Sequence, residues 1–120
     1  MKTKIYEYAK CSTCRDALKF LDSKKVAYEK IAIVDQPPTV PELKKMLAAY
    51  KEKGGSLKSL FNTSGLVYKE MNLAEKFPTL SEAEALKLLS QNGKLVKRPF
   101  VLGDDVHLVG FKEADWKKVF

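Results

Sequence analysis

The 120 residues carry a formal net charge of +7, with 45% hydrophobic and 31% charged residues. This balance is typical of one globular domain with its own core and excludes a disordered chain. No apolar run reaches the about 18–20 residues of a membrane span, and the N-terminal segment MKTKIYEYAK lacks the apolar stretch of a signal peptide. We therefore expect a single cytoplasmic domain, spanning residues 1–120, that makes no membrane contact.

The positive charge is spread along the chain and does not form one dense run. Lysines alternate with acidic residues, as in ELKKMLAAYKEK, which is typical of solvated helix faces. No helix-turn-helix, aromatic ladder or zinc-finger spacing accompanies the charge, so we expect no direct contact to nucleic acid. We also expect the protein to be a monomer.

The first third of the chain predicts a βαβ unit. A strand at Lys4–Tyr8 precedes a helix that runs from Cys14 to about Lys24, with apolar residues at i, i+3, i+4 and i+7. A second strand, rich in branched residues, follows at Val26–Val34. Because parallel neighbours need a crossover connection, this order favours a parallel pair joined by the helix.

The middle of the chain predicts helices only. The segment Asp35–Pro38 interrupts the chain, and a helix that begins near Pro41 continues to about Gly54. Shorter helical pieces are predicted over Ser56–Phe77, with a break at Asn62–Gly65. Together with the next helix, these pieces form a helical block over about residues 40–92.

The end of the chain predicts one more helix, a hairpin and a closing helix. Ser81 and Glu84 fit a capping box, and the helix that they start ends near Asn92. Two strands flank the turn Gly103–Asp105. The last predicted elements are two strands and a helix: Leu95–Leu102, Val106–Val109 and Glu113–Phe120. The order β-α-β, helices, β-β-α favours an α/β fold with a mixed sheet covered by helices.

Cys11 and Cys14 lie between the first predicted strand and the first predicted helix. The unpaired N–H groups and partial positive charge of a helix start favour a thiolate, and Lys10 and Arg15 act in the same direction. Residues i and i+3 of a helix lie about 5–6 Å apart, within the Cα range of a disulfide. We predict a redox-active pair in which Cys11 attacks and Cys14, on the apolar stripe, resolves.

Two other interpretations of the cysteines remain open. Buried cysteines act as small hydrophobic residues, although Cys11 lies outside the apolar stripe. Zinc sites with four protein ligands need a second pair, and the sequence offers one histidine, His107, which fits an exposed strand position. Dithiol chemistry is favoured because CxxC after the first strand of a βαβ pattern is typical of redox proteins.

Four segments in order carry a resemblance to a known family: KCSTCRDALKFL, LFNTSGLVYKEMNL, PTLSEAEALKLLSQNGKLVKRPFVL and VGFKEADW. With them the sequence resembles the arsenate reductase-related family, which includes the Spx and MgsR regulators. The resemblance implies a thioredoxin-like sheet interrupted by a helical insertion. It matches Cys11 to the family's nucleophile and Cys14 to the resolving cysteine that some members carry.

The resemblance also matches the family's Arg-Pro pair to Arg98 and Pro99, with the proline cis and facing the cysteine loop. The planar fork of Arg98 suits a thiolate and an oxyanion. The classical reductases have further arginines around the nucleophile, whereas this sequence has only Arg15 and Arg98. We therefore expect a site short of positive charge, in which arsenate is a poor substrate.

Polar side chains near the cysteines and in the predicted insertion are candidate substrate contacts. They are Ser12, Thr13, Asn62 and Ser64. The last two also suit a turn and a helix cap.

The function implied by the resemblance is that of an arsenate reductase-like thiol–disulfide oxidoreductase without a bound cofactor or metal. Its disulfide would be reopened by glutaredoxin with glutathione, or by thioredoxin, so a thiol-redox protein is the expected partner. The alternative is a redox regulator of the Spx/MgsR type, whose disulfide changes its affinity for the RNA polymerase α subunit. A purely structural domain is the third hypothesis.

Overall fold

The computed structural model describes residues 3–120 and contains one four-stranded mixed sheet in the order β2-β1-β3-β4. The strands are β1 (Lys4–Glu7), β2 (Glu29–Ala32), β3 (Phe100–Leu102) and β4 (His107–Val109). Lys4 of β1 lies opposite Glu29 in the parallel pair with β2 and opposite Leu102 in the antiparallel pair with β3. β4 pairs antiparallel with β3. The predicted mixed sheet is confirmed.

Within residues 3–120, six α-helices and three short 3₁₀ turns surround the sheet. The helices are α1 (Ser12–Ser23), α2 (Val40–Glu52), α3 (Leu66–Glu70), α4 (Leu73–Lys76), α5 (Glu82–Gln91) and α6 (Glu113–Val119). The 3₁₀ turns are Leu57–Leu60, Phe77–Thr79 and Gly93–Leu95. The predicted capping box of Ser81 and Glu84 starts α5, and Thr39 and Glu42 form another at α2. None of the helices described between residues 3 and 120 is long and apolar enough to cross a membrane.

Successive residues of the strands point to opposite faces of the sheet and divide the core into two clusters. Ile5 and Val101 pack with α1 and with Trp116 of α6 on one face. Tyr6 and Phe100 pack with α2, α5 and the shorter helices on the other face. The sheet is therefore covered on both faces, which fixes the end of β1, after which the cysteines follow, and the start of β3, which Arg98 precedes.

Two predicted strands are shorter than expected. Of Val26–Val34, only Glu29–Ala32 forms β2, because the Val26 N–H donates to Leu21 O and belongs to the end of α1. Of Leu95–Leu102, only Phe100–Leu102 forms β3.

Residues 95–97 instead pair with residues 60–62. The Asn62 N–H donates to Leu95 O at 2.7 Å, and the Lys97 N–H donates to Leu60 O at 2.8 Å. Pro99 has no N–H with which to extend the β3 ladder backwards. This pairing brings the helical block beside the loop that leads to Arg98.

Candidate functional site

The first cysteine caps the first helix. After β1 the chain turns so that the Cys11 N–H donates to Tyr8 O at 2.9 Å. Cys11 is the N-cap residue of α1, and its carbonyl accepts the first helical hydrogen bond, from the Arg15 N–H at 3.1 Å. Its side chain is half-buried, whereas Cys14, one turn later on the apolar face, is fully buried; both are free thiols.

The surroundings of the two thiols shift their pKa values in opposite directions. Burial alone would raise the pKa of Cys11, but the Cys14 N–H and thiol and the Arg98 guanidinium donate to its sulfur, and the net effect lowers the pKa. Burial, together with the negative charge of Cys11, raises the pKa of Cys14 to about 12. The Tyr8 N–H and Arg98 oppose that increase without cancelling it. Cys11 is therefore the more acidic of the two thiols, and Cys14 holds its proton more tightly.

Arg98 is held beside Cys11 with hydrogen-bond donors to spare. Its guanidinium carbon lies 4.9 Å from the centroid of the Tyr8 ring, within the range of a cation–π contact. Nη1 donates to Lys94 O at a long 3.4 Å, and the buried Nε has no hydrogen-bond partner among residues 3–120. The Arg98–Pro99 peptide bond is cis. The guanidinium thus contacts the Tyr8 ring and keeps donors with which to bind an incoming anion.

A cavity of about 330 Å³ opens in front of the Cys11 sulfur. It is lined by Cys11, Thr13, Asn62, Lys97, Arg98, Lys112 and residues 109–111. Three of these side chains are cationic, and no carboxylate belongs to this lining, which draws on residues 3–120 only. The lining therefore carries more positive charge than the two arginines of the sequence predict, and the added charge comes from lysines, which lack the planar pair of donors of an arginine.

The two lysines, which the sequence analysis missed, are placed by long-range pairing. The Gly110 N–H donates to Pro99 O at 2.9 Å, which brings the end of β4, and Lys112 two residues later, to the Arg98 loop. Gly110 has φ of +72°, and a Cβ there would lie only 3.0 Å from Lys97 Cε. Lys97 therefore crosses directly over the glycine. The sequence signal was the basic pair before Pro99 and the Gly-Phe-Lys segment after β4.

Other predicted contacts lie away from the cavity. Ser12 and Ser64 are exposed and do not line it, in contrast to Thr13 and Asn62. Lys10 is exposed, and the cation that lowers the pKa of Cys11 is Arg98.

The remaining candidate groups give no metal site. His107 is half-buried in β4, and its carbonyl accepts from Lys53 Nζ at 3.4 Å. In the part of the chain that the structure describes, no cluster of three or more His, Cys, Asp or Glu side chains could hold a metal ion.

The sequence is similar to one family model and to several known proteins. The ArsC family model matches residues 6–119. YusI, an uncharacterised protein of Bacillus subtilis, is 43% identical over 118 residues, which cover 98% of both chains. An arsenate reductase of Neisseria meningitidis is 30% identical over 89% of this chain and 88% of its own. The global transcriptional regulator Spx 2 of Bacillus anthracis is 27% identical over 95% of this chain and 83% of its own.

Solved structures share the whole fold. An ArsC family related protein from Bacteroides fragilis superposes with a TM-score of 0.90 at 47% identity and covers 100% of this chain and 98% of its own. A possible arsenate reductase from Streptococcus mutans superposes with a TM-score of 0.87 at 36% identity, with 98% of both chains covered. These likenesses confirm the predicted thioredoxin-like fold.

Proposed function

The chain belongs to the ArsC family, and from this premise we propose that it is an arsenate reductase-like thiol–disulfide oxidoreductase. Cys11 is its nucleophile and Cys14 its resolving cysteine. The observation that carries the proposal is the geometry of the pair at one helix start: Cys11 is the half-buried N-cap residue and lines the cavity, and Cys14 is fully buried one turn later. In line with this geometry, the pKa of Cys11 is lowered and that of Cys14 is raised to about 12. A dithiol needs this difference, because the thiolate attacks while the second thiol stays protonated until it is required.

The first step is attack of the Cys11 thiolate on one sulfur of a substrate disulfide. The substrate S–S bond breaks, a mixed disulfide forms, and the leaving thiolate takes a proton from water. Arg98, which donates to the Cys11 sulfur, stabilises the attacking thiolate. It also lies where negative charge of the substrate would enter the cavity.

The second step depends on the loss of charge in the first. In the free protein the Cys11 sulfur raises the pKa of Cys14 both by its charge and as a hydrogen-bond acceptor. A mixed disulfide at Cys11 carries no charge, so this part of the increase disappears once substrate is bound. The Tyr8 N–H and Arg98 then act on the Cys14 sulfur in the direction of a thiolate. Cys14 loses its proton, attacks Cys11, and releases the second substrate thiol.

An external thiol must reopen the resulting disulfide. Glutaredoxin with glutathione, or thioredoxin, is the reductant that we propose for a cytoplasmic protein of this family. Two electrons pass from the reductant to the Cys11–Cys14 disulfide and restore both thiols.

A second candidate function is redox regulation. It is favoured by the similarity to Spx 2 and to the regulatory protein MgsR of Bacillus subtilis, which is 25% identical over 96% of this chain. In this version the same disulfide would alter binding to the RNA polymerase α subunit. Turnover of arsenate with glutaredoxin, measured beside binding of reduced and oxidised protein to the α subunit, separates the two branches. Redox-dependent binding without turnover would favour the regulator.

The dithiol chemistry itself is tested by intact mass after reaction with the neutral disulfide dithiodipyridine. We expect oxidised wild-type protein to lose two hydrogens and to carry no adduct, since Cys14 displaces the first adduct. Cys14→Ser should instead retain one thiopyridyl adduct on Cys11. Cys11→Ser, the matched control, should react slowly because Cys14 is fully buried. Wild-type protein that keeps two adducts or two free thiols would contradict the resolving role.

A further inference from the structure

The Cys11 cavity continues into a longer groove. It shares Lys97, Gly110 and Lys112 with a neighbouring cavity of about 160 Å³. That cavity shares Tyr50 and Leu108 with a third, of about 630 Å³. The three adjoining cavities therefore trace a path along β4 from Cys11 to the end of α2 and to α6.

Five cations lie along this path, which we call the basic groove. They are Arg98, Lys97 and Lys112 near Cys11, and Lys53 and Lys118 at the far end. All four lysines are exposed. The salt bridges found within residues 3–120 join Lys4 to Glu42, Lys51 to Glu82 and Lys117 to Glu113, so none of them uses a cation of the groove.

Asp115 is the one carboxylate that lines the described part of the groove, in its second and third cavities. Five cations against one carboxylate leave an excess of four positive charges. Such an excess attracts a ligand with several negative charges spaced along its length, more than it attracts a single small anion.

The backbone of β4 offers little pairing to a ligand in this groove. The Val109 N–H donates to the Tyr50 hydroxyl at 2.8 Å, and that hydroxyl lies 3.4 Å from Val109 O. Lys53 Nζ donates to His107 O at 3.4 Å. Side chains of α2 and its end therefore occupy the outward-facing groups of this edge strand. A peptide in the groove would be held by charge rather than by added strand pairing.

We propose that the basic groove binds an extended acidic segment of the protein whose disulfide Cys11 attacks. This inference rests on the proposed thiol–disulfide exchange and names its substrate class, a protein disulfide with several carboxylates beside one cysteine. An extended chain of four to six residues spans about 13–20 Å along such a groove. Binding by exposed charges requires no defined sequence, only a run of acids.

Peptides with one cysteine activated as a thiopyridyl disulfide test the proposal. Cys11 attacks the peptide sulfur, the S–S bond breaks, and pyridine thione leaves with a proton, so its absorbance reports the rate. One peptide has six acidic residues beside the cysteine, and its match has six Asn and Gln residues. A third has acids only at the four positions farthest from the cysteine. Each peptide is made in two versions, with the six-residue run before or after the cysteine. All of them are used with the Cys14→Ser protein.

We expect the acidic peptide to react faster than its neutral match at low salt, with the difference decreasing as salt is added. K53Q/K118Q should lower the rate of the far-acid peptide about 3- to 10-fold and leave the neutral peptide unchanged. The matched control, K44Q/K45Q, removes two exposed lysines of α2 that line none of the three cavities. It should have less effect on either peptide.

Three results would overturn the proposal. Equal rates for acidic and neutral peptides at low salt would mean that the groove selects no charge. The second result is a far-acid peptide that reacts no faster than the neutral one, while K53Q/K118Q leaves the rate of the fully acidic peptide unchanged. Only acids next to the cysteine would then matter, and the lysines near Cys11 would form a site for a small anion. If the neutral peptide also failed to modify Cys11, the proposed exchange activity itself would be wrong, and the groove proposal with it.

Discussion

Replacing Arg98 by alanine should make the protein discriminate less between anionic and neutral oxidants. The guanidinium acts on Cys11 in two ways, since it lowers the pKa of the thiol and faces the cavity that the oxidant enters. The first effect changes the reaction with any oxidant. The second changes only the reaction with a charged one. The ratio of the two rate constants therefore isolates the attraction between Arg98 and the incoming anion.

The size of this ratio follows from the exposure of Arg98. Two unit charges 4 Å apart attract by about 1 kcal/mol in water and by about 4 kcal/mol at an effective dielectric constant of about 20. Arg98 is half-buried, and the exposed lysines Lys97 and Lys112 remain in the variant. We therefore expect the lower half of this range, about 1–2 kcal/mol, which is a roughly 5- to 30-fold fall in the ratio.

The assay is stopped-flow reaction with dithiobis(nitrobenzoate), a dianion, and with neutral dithiodipyridine. Arg15→Ala is the matched control, because Arg15 is exposed on α1 and does not line the cavity. Arg98→Lys keeps the positive charge but loses the planar pair of donors of the guanidinium. Its anionic-to-neutral rate ratio should therefore lie between those of Arg98→Ala and the wild-type protein. If Arg98→Ala slowed both oxidants equally, or changed the ratio no more than Arg15→Ala, Arg98 would support the loop and not the chemistry.

The pKa order predicts that iodoacetamide modifies Cys11 already near neutral pH, whereas Cys14 needs a pH that approaches about 12; mass spectrometry against pH checks this, and faster labelling of Cys14 would reverse the roles. Tyr8→Leu removes the ring below the guanidinium and should lower the anionic-to-neutral rate ratio about 2- to 5-fold, while Tyr8→Phe restores it. Gly93→Ala should destabilise the fold by about 1–3 kcal/mol or more in thermal unfolding, because its Cβ would overlap the Ile33 carbonyl; an unchanged Tm would contradict that close packing.

The parts of the site that depend on near neighbours in the chain could be predicted from the sequence. Cys11 caps α1 and Cys14 is buried one turn later, because the strand, the loop and the apolar stripe that place them are consecutive. The capping box of Ser81 and Glu84 is equally local. Each of these features is decided within one or two helical turns, where residue spacing and side-chain chemistry act directly.

The parts that depend on long-range pairing could not be predicted. Lys112 reaches the cavity because the end of β4 bonds to Pro99. Asn62 could be named as a candidate contact, but its place in the lining depends on the pairing of residues 60–62 with residues 95–97. Lys10 is the immediate neighbour of Cys11, yet the cation that lowers the pKa of Cys11 is Arg98, 87 positions later. A residue that is next to Cys11 in the sequence need not have its side chain beside the Cys11 sulfur, because the fold decides which cation lies there.

The mixture of one arginine and two lysines favours a flexible substrate over a compact oxyanion. Arg98 contacts the Tyr8 ring, is half-buried and presents a planar pair of donors. Lys97 and Lys112 are exposed ammonium groups on long stems, which supply charge without a fixed direction. A small dianion such as arsenate gains most from several donors held rigidly around the transition state. Carboxylates on an extended peptide can adjust to mobile cations, so the same cavity suits an acidic protein disulfide better than arsenate.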